Sequence, residues 1–383
     1  MNSAANLAIP FLLALLASVL VFRARKSSRR PPDYFKLAGI RAPNPLPRDF
    51  NVDLEVARPY RPFRWPYHQT MSLKAMDPDR WIELESTYKE RIAQRIQLHS
   101  QHGKKIVDCL PGAELACREL MEMVVQFVCA RYPGQFTVDY PTGVFRNHIL
   151  GTTSNIYTTE PLLLLLHHIP EDFLLTQRDE KTGLYAFRAG VSCSSVGWNV
   201  STKIGLNLSG IHAPVPDYEE KMAFSMNRFF TSMKVEKPIQ RGSWGLEIGQ
   251  PLFLQEEELG FRQKNPNLCL EDIHLRVDWQ TLRRLPRSRA IVFNFKALFT
   301  PVEQFRREPY VPRLLLKILR ESKDSLMAYK AIEHTGHLVI PALVQWTKEQ
   351  EDKGWVPVDW EERTLAEDPF FPGWDEKARD LTT

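Results

Sequence analysis

Two prolines set one residue apart, Pro214 and Pro216, fix the backbone just after the single histidine of residues 198–218, WNVSTKIGLNLSGIHAPVPDY. Proline locks its own φ and biases the residue before it towards extended conformations. The chain beyond His212 therefore has few options, and the imidazole is carried on an almost preset arm. A satisfied histidine beside a proline turn has the same pattern, so the rest of the chain must decide its role. Lys203, with Gly205 two residues on, stands upstream in the same stretch.

With 383 residues the chain is long enough for one large or two ordinary domains. Its apolar share of 43% and charged share of 25% are those of an ordinary globular protein. The net charge is only +4, and several basic residues fall in one early run. No basic stripe interleaved with aromatics occurs elsewhere, which argues against a nucleic-acid partner. Cys109, Cys117, Cys129, Cys193 and Cys269 are odd in number and lack C-x-x-C spacing. They predict neither a disulfide framework nor a zinc site, and fit a reducing compartment.

Residues 7–22, LAIPFLLALLASVLVF, form an uncharged apolar run followed at once by RARKSSRR. A membrane-spanning helix needs about 20 residues, and counting back to Ala4 brings the run into range. A cleaved signal peptide carries its positive charge ahead of the apolar core. Here Arg23, Arg25, Lys26, Arg29 and Arg30 lie behind it. The positive-inside rule then predicts an uncleaved single-pass anchor, in the endoplasmic reticulum of a eukaryote, with the body of the protein cytosolic. In that topology the sequons at Asn199 and Asn207 stay bare.

From residue 31 to 66 the chain is proline-rich and reads as a semi-rigid spacer, or as an irregular arm packed on the domain. Helices are predicted over residues 78–102, 113–131, 218–233 and 311–332 from apolar spacing of three and four. Strand character is expected for 184–189, the stretch around His212, 245–253 and 290–299. The expected organisation is an anchor with its basic flank (1–30), a linker (31–64), one main domain (65–335) and a tryptophan-bearing acidic extension (336–383). The fold class is α+β, a mostly antiparallel sheet with packed helices.

No G-x-G-x-x-G follows a strand, and no P-loop, G-x-S-x-G or H-E-x-x-H is present. The adjacent His167 and His168 point about 100° apart on a helix, so they do not form a metal pair. Once His212 is set beside residues 276–286, however, the chain resembles the α-subunit family of haem-dependent oxidative N-demethylases. The landmarks are spread over residues 65–330: MSLKAMDPDRWIELESTY, Pro161-Leu162 with Glu171-Asp172, Trp198, Lys203, Gly205, IHAPVPDY, Arg241 with Trp244, RVDWQTLRRLP, and the 290–295 run. Three positions depart from the pattern. Ser243 replaces an Asn, Asp278-Trp279-Gln280 replaces Glu-Arg-Gln, and a proline before Trp198 is absent.

The resemblance implies a PAS-like sheet holding haem b, with O₂ as oxidant and electrons from a separate reductase. The reaction it implies is oxidative demethylation of a small amine, with release of formaldehyde. Haem needs an axial ligand, an apolar slot, and cations or donors for its propionates. His212 is the expected metal ligand, and Cys193 or Cys269 is the rival, although neither lies in a recognisable thiolate loop. Lys203, Arg241, Arg276 and Arg284 are the candidate propionate partners, since a guanidinium fork matches a carboxylate. Trp198 belongs to the same cofactor-binding set. Asp278 and Gln280 are the groups expected to supply protons or hydrogen bonds at the haem. The expected protein is thus a membrane-anchored haem oxidoreductase acting on a small molecule. The alternatives are a haem-binding sensor and a cofactor-free structural membrane protein of the same fold.

Overall fold

The computed structural model describes residues 30–68, 70–258 and 261–375. The chain begins with α1 (Tyr34–Ala38), β1 (Lys74–Ala75), α2 (Tyr88–His102), β2 (Val107–Cys109) and α3 (Glu114–Arg131). A small meander follows, β3 (Phe136–Asp139), β4 (Val144–Asn147) and β5 (Thr152–Asn155), then α4 (Pro161–His168) and the pair β6 (Asp172–Arg178) and β7 (Tyr185–Val191). Four short helices come next: α5 (Val200–Lys203), α6 (Leu208–His212), α7 (Tyr218–Lys221) and α8 (Ala223–Ser232). Strands β8 (Ile239–Ile248), β9 (Ile273–Arg284) and β10 (Ile291–Pro301) lead into α9 (Val311–Glu321), α10 (Asp324–Tyr329) and α11 (Glu333–Asp352).

The main sheet runs β1-β8-β9-β10-β6-β7-β2, and each pairing in it is antiparallel. Side chains alternate between faces with period two, which gives each long strand two distinct jobs. On one face Trp244, Leu246, Leu275 and Val277 pack against Leu314 and Ile318 of α9 and Leu343 of α11. Further along that face Phe173, Leu175, Val191 and Val292 pack on Ile92, Leu120, Val124 and Leu165 of α2, α3 and α4. On the other face Leu282 and Ile291 pack against Tyr185, Leu208, Tyr218, Met226 and Phe230. The fold is therefore α+β with an antiparallel sheet covered by helices on both sides.

Several local expectations give way to specific contacts. The stretch around His212 is helical rather than extended, because two asparagines cap two helix starts. Asn199 forms a capping box with Thr202, and the Asn207 carboxamide accepts from Gly210 N. The helix predicted from residue 78 starts only at Tyr88, where Glu85 turns back to accept from the Thr87 amide and hydroxyl at 2.8 and 2.7 Å. The 218–233 helix breaks at Met222, and the 311–332 helix breaks at Ser322 and Lys323.

The proline-rich arm does not stand clear of the body. Tyr34, Val52, Tyr60, Arg61 and Phe63 are all buried, and Arg61 forms a bidentate ion pair with Glu308 at 2.7 Å. The expected C-terminal extension is likewise built in: Val339, Leu343, Trp346 and Phe371 belong to the same core as Leu246 and Val277. Among the described residues no helix is long and apolar enough to cross a membrane. The anchor expected over residues 7–22 lies outside the described residues.

Candidate functional site

His212 closes the last turn of α6, a helix started by Asn207, whose Oδ1 accepts from Gly210 N at 2.9 Å. Its Nδ1 lies 2.7 Å from the Leu208 carbonyl. A carbonyl only accepts, so Nδ1 carries the proton and Nε2 keeps its lone pair. The proline turn folds the chain back, with Val215 N donating to the His212 carbonyl at 2.8 Å. Tyr218 then stacks on the imidazole at 4.7 Å and 7°. Burial pushes the His212 pKa down, opposed by the Leu208 hydrogen bond and reinforced by the charges of Arg241 and Lys203. The result is a neutral, oriented imidazole, the form a metal requires.

Lys203 acts on the same turn. Its Nζ donates to the Ile211 carbonyl at 3.0 Å, tying α5 to the residue before His212. Gly205, between the two helices, holds φ at +88° while its amide donates to the Phe187 carbonyl at 2.7 Å. That left-handed backbone is open to glycine without penalty. Trp198 lies 6.5 Å from the Phe295 ring of β10, and its carbonyl accepts from Gln255 Nε2 at 2.9 Å.

The sheet supplies the polar side. Register places Arg241 opposite Gln280, Ser243 opposite Asp278, and Gly245 opposite Arg276. Phe295 lies across from Gln280 on the other flank. Alternation therefore gathers Arg241, Ser243, Arg276, Asp278, Gln280 and Phe295 onto one face, the face that carries Leu282 and Ile291 beneath α6 and α8. Trp279 points the other way and stacks on Tyr60 at 3.9 Å and 12°. Of the departures in β8 and β9, the aromatic one thus faces away from the site, whereas Ser243 faces it.

The arginines divide sharply. Arg284 is consumed: Nε donates to the Met233 carbonyl at 2.8 Å and Nη1 to the Arg289 carbonyl at 2.9 Å. Its Nη2 donates to Tyr185 Oη at 2.9 Å and also to the Phe230 carbonyl. That network staples the end of α8 to the sheet and leaves no fork for a propionate, so the expectation for Arg284 does not fit the geometry. Arg276 is also held, donating from Nε to Asp278 Oδ1 at 2.9 Å and from Nη2 to the Ser194 carbonyl. Burial raises the Asp278 pKa against the opposing pull of Arg276.

Arg241 differs from both. Its Nε is buried with no hydrogen-bond partner, and no carboxylate among the described residues pairs with it. Burial first, and the charge of Arg64 second, push its pKa down to about 10. Arg64 comes from the arm, where it donates to Thr70 Oγ1 at 3.4 Å and to Ser72. The hydroxyls of Tyr67 and Tyr329 are close enough to act on Arg241 electrostatically. Sequence reasoning missed Arg64, Tyr67 and Tyr329, because they reach the site from the arm and from α10. Two cavities, of about 110 and 660 Å³, open elsewhere, and neither is lined by His212.

The sequence matches the family described as haem-dependent oxidative N-demethylase, alpha subunit-like, over residues 72–340, well over half the chain. The chain belongs to that family. The haem dependence of this family finds a fitting set of groups here: an imidazole whose Nε2 keeps its lone pair, a half-buried Arg241 that acts on it electrostatically and has an unpaired Nε, and Phe295, touched by Trp198, on the same sheet face as Arg241. The rival thiols fit poorly. Cys193 is fully buried, and burial pushes its thiol up to about 12. Cys269 lies exposed at the start of a 3₁₀ turn, with its amide bound to Asp272.

Proposed function

We propose that this chain is a haem-dependent oxidoreductase of the oxidative N-demethylase type, acting on a small amine with O₂ and electrons from a separate reductase. His212 is the proposed axial ligand, and Arg241 with Arg64 is the proposed propionate partner. When bound, haem b supplies the activation of O₂. The observation that carries this reading is a Nδ1-pinned imidazole within electrostatic reach of an arginine whose buried Nε lacks a partner and which has no carboxylate.

The remaining work falls to the chain. Oxidative removal of an N-methyl group consumes O₂, electrons and protons, and releases formaldehyde, water and the demethylated amine. Asp278 is the proposed proton carrier, a role supported by its Oδ1 accepting from Arg276, which leaves Oδ2 to carry the proton. Gln280, its neighbour on the same face, offers a carboxamide that cannot ionise. Lys203 and Leu208 hold the turn and the ring of His212, while Tyr218 covers one face of the imidazole. The apolar run at 7–22 with its basic flank supports anchoring beside membrane-bound reductases, a part of the reading that rests on sequence alone.

The test is direct. The full chain, expressed with ample haem precursor, is expected to show a Soret band and, with a reductase, to release formaldehyde from N-methylated amines in an O₂-dependent way. A haem-loaded protein that binds O₂ but never turns over would instead make it a sensor. A protein that takes up no haem would end the reading.

A further inference from the structure

A second polar chamber lies across the sheet from His212. It is a cavity of about 110 Å³ between the arm, β9, β10 and the segment around Glu83. Side chains that line it carry four buried polar atoms with no hydrogen-bond partner: Glu171 Oε2, Arg58 Nε, Arg131 Nε and Trp279 Nε1. Buried polar atoms are normally paired, and an unpaired one costs about 1–3 kcal/mol. Four around one cavity mark a place where something polar belongs.

Their chemistry selects the occupant. Three of the four are N–H donors, two of them on guanidinium groups, and all three require an acceptor. The fourth belongs to Glu171, only 3% exposed, whose other oxygen already accepts from Glu83 N at 3.1 Å. Burial pushes the Glu171 carboxyl up to about 7, so near neutrality it is itself a donor for much of the time. Two lining cations are already paired, Arg58 with Glu83 and Lys296 with Glu85. Arg131 has no carboxylate partner within ion-pair distance, and donates instead to the Asn44 carbonyl at 2.5 Å. Formal charge around the cavity is balanced, since Arg58, Arg80, Arg131 and Lys296 face Glu55, Glu83, Glu85 and Glu171, and the surplus is of unpaired N–H donors. A methylammonium ion would add further donors to a site short of acceptors. A carboxylate offers two oxygens with about four lone-pair positions between them. The volume is below the ~150 Å³ that houses benzene, which limits the guest to about four or five non-hydrogen atoms.

We infer that this chamber is a binding site for a small carboxylate, held by the indole N–H of Trp279, the guanidinium groups of Arg58 and Arg131, and the Glu171 carboxyl. It is separate from the His212 face and does not depend on haem. Its place beneath the arm also accounts for the position of Trp279, whose ring is stacked on Tyr60 of that arm while its N–H faces no protein acceptor.

Acetate is the probe. Calorimetric titration of the full chain is expected to give saturable one-to-one binding, with methylammonium giving none. Trp279→Phe keeps an aromatic ring against Tyr60 while removing the N–H with part of the indole, and is expected to weaken acetate about tenfold, the loss of one charge-assisted hydrogen bond. Glu171→Gln keeps the acceptor for Glu83 N and presents a permanent donor, and is expected to retain acetate binding. A crystal soaked in acetate should show its carboxylate within hydrogen-bond distance of Trp279 Nε1. Ordered water alone in that density, absence of saturation, or a Trp279→Phe variant that binds acetate as tightly as the parent would overturn the assignment.

Discussion

Asp172 accepts from the Ser194 amide at 2.7 Å and from its hydroxyl at 2.5 Å, and the carbonyl of that same serine holds the guanidinium of Arg276. The chain of contacts runs on through Arg276 to Asp278. A carboxylate at the start of β6 thereby sets the position of a carboxyl on the polar face of β9. Asp172 also pairs with Arg95, and both side chains are almost wholly buried, at 0% and 1% exposure. Removing one partner of such a pair strands the other. Asp172→Ala is expected to cost about 3–5 kcal/mol in urea unfolding, far more than a surface substitution.

Haem ligation makes a sharper prediction. His212→Ala is expected to abolish the Soret band or shift it strongly, while far-ultraviolet circular dichroism stays unchanged. The ferrous carbon monoxide complex of the parent should have a histidine-type spectrum. Replacing Cys193 or Cys269 by Ser should leave that spectrum alone, and its loss in either variant would hand ligation to sulfur.

Arg241 and Arg284 should separate cleanly. Arg241→Leu removes a half-buried cation whose Nε is unpaired and which has no carboxylate, so it is expected to weaken haem retention about tenfold or more with little loss of apoprotein stability. Arg284→Leu leaves three carbonyls and the Tyr185 hydroxyl without their donor. It is expected to cost about 2–4 kcal/mol in unfolding of the apoprotein. Equal haem loss from both variants at equal stability would contradict this division.

His168 provides a pH test independent of cofactor. It is buried, with Asn147 and Ser154 against its two ring nitrogens, and burial lowers its pKa to about 4. The unfolded chain binds the proton near 6.5 and the folded chain only near 4, so the unfolded state gains protons first. Stability should therefore be highest above pH 6.5 and fall as the pH drops from there towards 4, by about 2–3 kcal/mol from this group. His168→Gln should flatten that part of the pH profile, measured by denaturant unfolding.

Glycosylation should be absent at Asn199. Its side chain caps α5 and donates to Gln255 Oε1 at 3.0 Å, at 2% exposure. Peptide mapping of protein from a secretory host is expected to find no glycan on the peptide that carries Asn199. Asn199→Ala should cost about 1 kcal/mol as a lost cap.

Strand β10 was legible in the sequence, expected over 290–299 and observed over Ile291–Pro301, whereas β9 was not read as a strand. Arg276, Asp278 and Gln280 were singled out through the family resemblance, and the alternation of apolar and polar residues in IHLRVDWQTLRR is the physical reason they share a face. The segment around His212 was misread because its apolar content resembles short strands, whereas capping side chains decide the matter locally. Arg284 was legible as a residue of the site's strand, but its role was not, since its acceptors are backbone carbonyls that no sequence pattern announces. Arg64 and Tyr329 were invisible for a different reason. They reach Arg241 from segments far from β8, and only the closed fold brings them there.

The arm that carries Arg64 has one more consequence. Arg61 N donates to the Pro369 carbonyl and Trp65 N to Thr364 Oγ1, nearly three hundred residues downstream. During synthesis, at about 5–20 residues per second, the arm waits for about three hundred further residues before its partners exist. The wall that brings Arg64 to Arg241 is therefore among the last parts to be completed on the ribosome. A nascent chain halted before residue 364 would carry β8, β9 and His212 yet lack the clasp that holds the arm, and with it Arg64, against the body.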